Sequence, residues 1–138
     1  MKIELFVLCD AADASQGKMS VFGIFDTIFS DSVPAMHPKC TIAARIRFDQ
    51  VEGAEHTLKI TASDLKGNFL LKPLESKILS KFGEDGFPGR VDIMITVSEM
   101  QFKSFGRYII DLEVDGTSIA QIPFLVAKTR VKSPGPIK

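Results

Sequence analysis

Tyr108-Ile109-Ile110-Asp111-Leu112-Glu113-Val114-Asp115-Gly116 decides the fold class. A period of two sends Tyr108, Ile110, Leu112 and Val114 to one face and leaves Asp111 and Glu113 on the other. That is the pattern of a half-buried strand, and Asp115-Gly116 is the pair of residues with which such a strand reverses. His56-Thr57-Leu58-Lys59-Ile60-Thr61-Ala62-Ser63-Asp64 repeats the design. Leu58, Ile60 and Ala62 share a face, and Lys66-Gly67 follows as a turn.

The same reading extends in both directions. Ile3, Leu5, Val7 and Cys9 alternate with Lys2, Glu4, Phe6 and Leu8, which predicts a first strand with Ile3, Leu5, Val7 and Cys9 on its core face. Asp10 to Gly17 reads as a turn-rich loop. Lys18 to Ser30 is apolar on both phases, with Met19, Val21 and Phe25 against Phe22, Ile24 and Ile28. Such a strand is covered on both sides, bulged near Gly23, or part of an interface. Asp31 to Lys39 holds Pro34 and Pro38 and reads as a connection. Cys40, Ile42, Ala44, Ile46 and Phe48 alternate with polar or small residues. Leu74 to Phe82 fits a strand or a helix face, and its neighbours favour the strand. Gly83 to Gly89 is a loop. Val91, Ile93, Ile95 and Val97 mark another strand, and Thr117 to Ala127, with Pro123, a last one at an edge or bulge. Eight or nine strands and no long helix predict an all-β antiparallel sandwich, immunoglobulin-like or jelly-roll-like. Gly106-Arg107-Tyr108 entering a strand matches the corner at which a sandwich tyrosine bonds back to backbone.

The chain has 138 residues, 45% hydrophobic and 25% charged. This fits one domain, residues 1–127, with a basic Pro/Gly-containing tail at 128–138. Deleting 131–138 is expected to leave stability unchanged within about 0.5 kcal/mol. Eleven Phe and no Trp point to packing, since Phe needs no hydrogen-bond partner. Net charge is zero. Four basic residues fall in the tail, which leaves the body with 13 basic and 17 acidic residues, a net of −4. On that balance no nucleic-acid partner is expected. Phe6-Val7-Leu8-Cys9 looks like a lipoprotein processing site, but the apolar stretch before Cys9 is shorter than the roughly 7–15 residues a secretory signal needs. No apolar run approaches the ~18 residues of a membrane span. The expectation is a cytoplasmic chain with no membrane partner and with Cys9 and Cys40 reduced and buried.

Several short matches run along the chain: Leu8-Cys9-Asp10, Gly17-Lys18, Gly23-Ile24-Phe25-Asp26-Thr27-Ile28, Pro34, His37-Pro38, Ala44-Arg45-Ile46-Arg47-Phe48, Glu55-His56, Asp64-x-x-Gly67 and Gly106-x-Tyr108. In these the sequence resembles a bacterial family of small all-β proteins of unknown function. The resemblance implies a stand-alone β domain. It supplies no reaction and no catalytic residue.

Signatures of chemistry are weak. His37-x-x-Cys40 is one pair of metal-ligand type, and structural zinc sites use two. Asp10, Asp13, Glu84 and Asp85 make no calcium-loop pattern. No Ser elbow or phosphate loop is present. No metal, cofactor or catalytic residue is therefore assigned. Arg45 and Arg47 share the outer face of one strand, where acids across the sheet would pair with them or an anion would meet them.

The function expected is a non-catalytic interaction or assembly module, with a homo-oligomer or a protein as partner. The expected interface is Phe22, Ile24, Phe25, Ile28 and Phe29, because strand 18–30 has a second apolar face to cover. The alternatives are a small-ligand or carbohydrate-binding sandwich using loops 10–17 and 83–90, and an enzyme with a dispersed site.

Overall fold

The structure is a computed structural model and describes residues 1–130. Nine strands form two sheets. They are β1 (Lys2–Ser15), β2 (Lys18–Ile24), β3 (Thr27–Ser30), β4 (Ala35–Phe48), β5 (Glu55–Asp64), β6 (Leu74–Leu79), β7 (Gly89–Phe102), β8 (Gly106–Val114) and β9 (Thr117–Lys128). Sheet A runs β2-β1-β4-β7, and sheet B runs β3-β9-β8-β5-β6. The arrangement is sandwich-like, with sheet B curled into a half-barrel. Segment 74–79 is a strand, paired to β5 from Glu55↔Leu79 to Ile60↔Leu74. The pairing is not wholly antiparallel, because β3 runs parallel to β9.

The core lies between the sheets. Sheet B supplies Leu58, Ile60, Ala62, Tyr108, Ile110, Leu112, Val114, Phe124 and Val126, and sheet A supplies Leu8, Cys40, Ile42, Ala44, Ile46 and Phe48. These are the inward phases read from β4, β5 and β8. Phe102, Tyr108 and Phe124 meet ring to ring, with centroids 5.2–6.0 Å apart. The Tyr108 hydroxyl donates to the Ser104 carbonyl at 2.6 Å, four residues upstream, so the buried phenol keeps a partner. Two-residue turns close β1–β2 and β8–β9. Gln16, Gly17, Asp115 and Gly116 all take positive φ, the geometry that matches strand twist.

Four sequence expectations are corrected. The first is the phase of β1. The register slips between Ile3 and Leu5, so Ile3 lies opposite Ile46 while Phe6 and Leu8 lie opposite Ala44 and Ile42. One extra residue at Glu4 transfers Leu5, Val7 and Cys9 to the outer face. The second is the loop at 10–17, which is mostly strand. Its small residues Ala11, Ala12 and Ala14 pair with Phe22, Val21 and Met19. The third is strand 18–30. It divides at Phe25-Asp26, with β2 in sheet A and β3 crossing to sheet B. Gly23, at φ 66, sits against Asp10, where any Cβ would collide with the carboxylate. The fourth is the connection at 31–39. β4 starts at Ala35 and carries Pro38 within it. Its pairing to β1 begins only at Thr41, so on that side Pro38 needs no donor. Opposite Pro38, Glu99 has φ 56. There the buried phase of β7 changes from Ile93 and Val97 to Met100 and Phe102.

β9 continues through Lys128, and the Thr129 amide donates to Ser30 at 2.9 Å, so the body extends past 127. The tail deletion concerns residues outside those described.

Candidate functional site

The five expected interface residues separate. Phe22 and Ile24 lie opposite Ala11 and Cys9 on the outer phase of sheet A, and they are 59% and 58% exposed. β2 is the edge strand of that sheet. Phe25 turns inward and packs against the core, its ring 5.6 Å from that of His37. Ile28 is buried between the sheets and can meet no partner. Phe29 is exposed on the outer face of sheet B, near Leu125, away from Phe22 and Ile24. The structure therefore keeps Phe22 and Ile24 together and removes the other three from their surface. Beside Ile24 a pocket of ≈ 360 Å³ is lined by Phe6, Val7, Phe25, Ile122 and Pro123.

Cover of the outer face of sheet A comes from the β1–β2 hairpin. Cys9, Thr41 and Ala43 all lie on the outer phase and all are buried. The hairpin tip bends back far enough for the Gly17 carbonyl to accept from Arg45 Nη2 at 3.2 Å. The bulge at Glu4 thus gives β1 an outward apolar row, and the hairpin shields part of it.

His56 is a titratable group held in the core wall, 6% exposed. Its ring stacks on Phe48, centroids 4.0 Å apart and 10° from parallel. Nδ1 is 2.7 Å from Asp115 Oδ2, and Nε2 is 2.9 Å from the Gly53 carbonyl. Both partners are acceptors, so this geometry suits the doubly protonated ring, with each nitrogen donating. Burial pushes its pKa down, but the bonds to Asp115 and Gly53 and the charges of Asp115 and Glu52 outweigh this and raise it. Asp115 is correspondingly lowered, by His56 first and then by the Thr57 amide. The dyad faces a shallow pocket of ≈ 250 Å³. It has no free nitrogen with which to take a proton from a substrate. Sequence reading placed His56 at the head of a strand and among the soft metal-ligand candidates but named no partner for it, because its partners sit 3 and 59 residues away.

Arg45 holds Asp92 through two bonds, Nε to Oδ1 at 2.7 Å and Nη2 to Oδ2 at 3.1 Å. Arg47 donates to Glu4 at 2.9 Å and to the Pro88 carbonyl at 3.3 Å. The arginine pair thus has its cross-sheet acids. Both cysteines are free and buried. Burial pushes the Cys40 thiol up to about 11 and also raises Cys9, so neither is a ready thiolate. Cys9 donates to the Thr41 carbonyl at 3.5 Å. Among the described residues no three His, Cys, Asp or Glu side chains converge as metal ligands. No helix among them is long and apolar enough to cross a membrane.

A profile described as a family of unknown function (DUF6941) matches residues 4–127, and the chain belongs to that family. No curated protein matches it. Among solved structures it is similar to the Pseudomonas fluorescens alkylpurine DNA glycosylase AlkC bound to DNA containing an abasic site analog. The TM-score is 0.47 and the identity 10%, over 91% of this chain and 30% of that one. The sequence-based exclusion of a nucleic-acid partner is at odds with this DNA-bound neighbour and is not carried further. The exclusion rested on the net charge of the whole body, which averages over local clusters such as Arg45, Arg47 and Arg90. At that score the likeness assigns no ligand to this chain.

Proposed function

We propose that the protein is a non-catalytic interaction module that self-associates through β2. The observation that carries this reading is the coincidence, on one strand, of a sheet edge with Phe22 and Ile24, both more than half exposed. Pairing with β2 of a second copy across a two-fold axis would satisfy edge backbone groups and cover both side chains. Each large apolar side chain fully removed from water contributes roughly 1.5–3 kcal/mol. Against an enzyme stand the engaged nitrogens of His56 and the buried, raised thiols. The reading places the chain in the cytoplasm and, from the Tyr108 corner, among immunoglobulin-like rather than jelly-roll-like sandwiches.

Sedimentation velocity from 1 to 100 μM is the test. The expected result is a monomer–dimer equilibrium, weakened at least tenfold by Phe22→Asp and unaffected by Phe29→Asp. A strict monomer over that range overturns the reading.

A further inference from the structure

We infer that the concavity between β6, β7 and the 83–88 loop binds a nucleotide phosphate, with its base against Phe87. This goes beyond the self-association reading and uses a different surface. The pocket measures ≈ 350 Å³ and is lined by Arg47, Leu79, Lys81, Phe87, Pro88 and Arg90, with the Gly83 backbone. Three of these are cations and none is an acid. Glu4 and Asp92, the nearest acids that pair with them, are already engaged. Glu4 bonds Arg47, and Asp92 takes both bonds of Arg45 as well as a 3.4 Å contact from Arg90 Nε. Glu4 and Asp92 offset part of the lining's positive charge, and Arg90 shares Asp92 with Arg45. Among the described residues Lys81 makes no ion pair, and the terminal nitrogens of Arg90 make no hydrogen bond. Glu84 and Asp85 belong to the same loop but do not line the pocket.

The apolar half of the site is as specific as the charged half. Phe87 is 64% exposed, although the Arg47 guanidinium already lies 5.7 Å from its ring centroid. Leu79, 65% exposed, stands beside it. Arg47 is fixed by Glu4 and the Pro88 carbonyl, so it positions the ring and its loop rather than reaching for a ligand. A bare inorganic anion would use Lys81 and Arg90 and leave Phe87 and Leu79 wet. A neutral flat molecule would leave two cations unanswered. A phosphate carried on a flat base uses both halves, through charge-assisted bonds at one end and stacking at the other. A free nucleotide and the end of a single strand share this chemistry.

Thymidine monophosphate, thymidine, inorganic phosphate and a labelled dT8 are the probes, followed by amide shift perturbation and fluorescence anisotropy in 50 mM salt. The expected result is a perturbation of residues 79–90 by thymidine monophosphate that phosphate or thymidine alone reproduces only at tenfold or higher concentration. Lys81→Glu and Arg90→Glu should each weaken the nucleotide at least tenfold. Phe87→Ala should weaken the nucleotide and leave phosphate unchanged. Arg45 keeps Asp92 when Arg90 is lost, and Lys81 holds nothing, so both variants fold, which melting checks. If dT8 binds tenfold tighter than the mononucleotide, the strand is the source; equal affinity identifies the free nucleotide. No perturbation of 79–90 at 10 mM nucleotide, or unchanged binding in both charge variants, overturns the inference.

Discussion

β8 and β1 are both strands that wall the core, and they obey the same rule with different outcomes. In β8 the alternation runs unbroken from Tyr108 to Val114, and every second residue is buried. In β1 the sequence alternates only as far as Glu4, and the residues facing sheet B are Phe6 and Leu8, not Leu5 and Val7. The difference is one bulged residue. A period-two pattern fixes which residues share a face only as far as the register holds, and beyond a slip it names the wrong set. β1 hides the slip because both of its phases are apolar after Glu4, so neither choice leaves a charge in the core. β8 could not hide one, since Asp111 and Glu113 would enter it.

The largest effects test whether the two strands share one core. Ile110 is fully buried in β8, and Ile110→Ala should cost about 4 kcal/mol of unfolding free energy. Leu8, 1% exposed, should cost about 3 kcal/mol as Leu8→Ala. Urea unfolding with unchanged slope measures both. A loss below about 1 kcal/mol at Leu8 would return β1 to the phase its sequence suggests.

The next effect concerns the end of β8, where Asp115 ties the turn to His56. His56→Ala removes a stacked ring and two charge-assisted bonds, and should cost about 2 kcal/mol at pH 6. The pH dependence has a definite sign. His56 is raised when folded, so its contribution is full below the unfolded value near 6.5 and disappears as pH rises through the folded value. Asp115 is lowered, so its contribution is full above 3.8 and disappears as pH falls through its folded value. The pair therefore contributes most between about pH 4 and 6.5. Urea midpoints should fall from pH 6 to 8.5 in the native protein and less in His56→Ala. Parallel curves would show that the ring is neutral in the fold.

What the sequence made legible follows from the same contrast. Strands with one polar phase, β4 over 40–48, β5 and β8, declared both their existence and their inward face. Strands without one declared only their existence. The segment 18–30 did not show its division at Phe25-Asp26, because Gly23 reads equally as a bulge within one strand and both halves are apolar. Pro38 suggested a connection, since a missing amide proton is harmful only where a neighbour would accept it, and sequence does not show that β1 leaves β4 before Pro38. Phe22 and Ile24 were readable as a surplus apolar face, whereas Ile28 was misplaced with them by the hidden crossing. The loop was legible over 83–88, although Gly89 and Arg90 already belong to β7. Its cations were not, because Arg47, Lys81 and Arg90 come from three segments joined only by the register of β4 with β7 and by the packing of β6 beside them.

The smallest effect is the sharpest test of the bulge. Val7 and Leu8 are neighbours, and the two readings of β1 send them to opposite faces. Val7→Thr keeps shape and adds one hydroxyl. If Val7 faced the core, that hydroxyl would be buried without a partner at a cost of roughly 1–3 kcal/mol. In the structure Val7 lies opposite Ala43 on the outer phase, half-buried and beside the open pocket that it shares with Ile24 and Pro123. There the hydroxyl can reach water, and the expected cost is about 0.5 kcal/mol. Leu8→Thr, measured in the same way, should cost several times more. Equal costs would place β1 edge-on to both faces, and a reversed order would remove the slip at Glu4. The outward row of Leu5, Val7 and Cys9 would disappear with it, and so would the surface on which Ile24 rests.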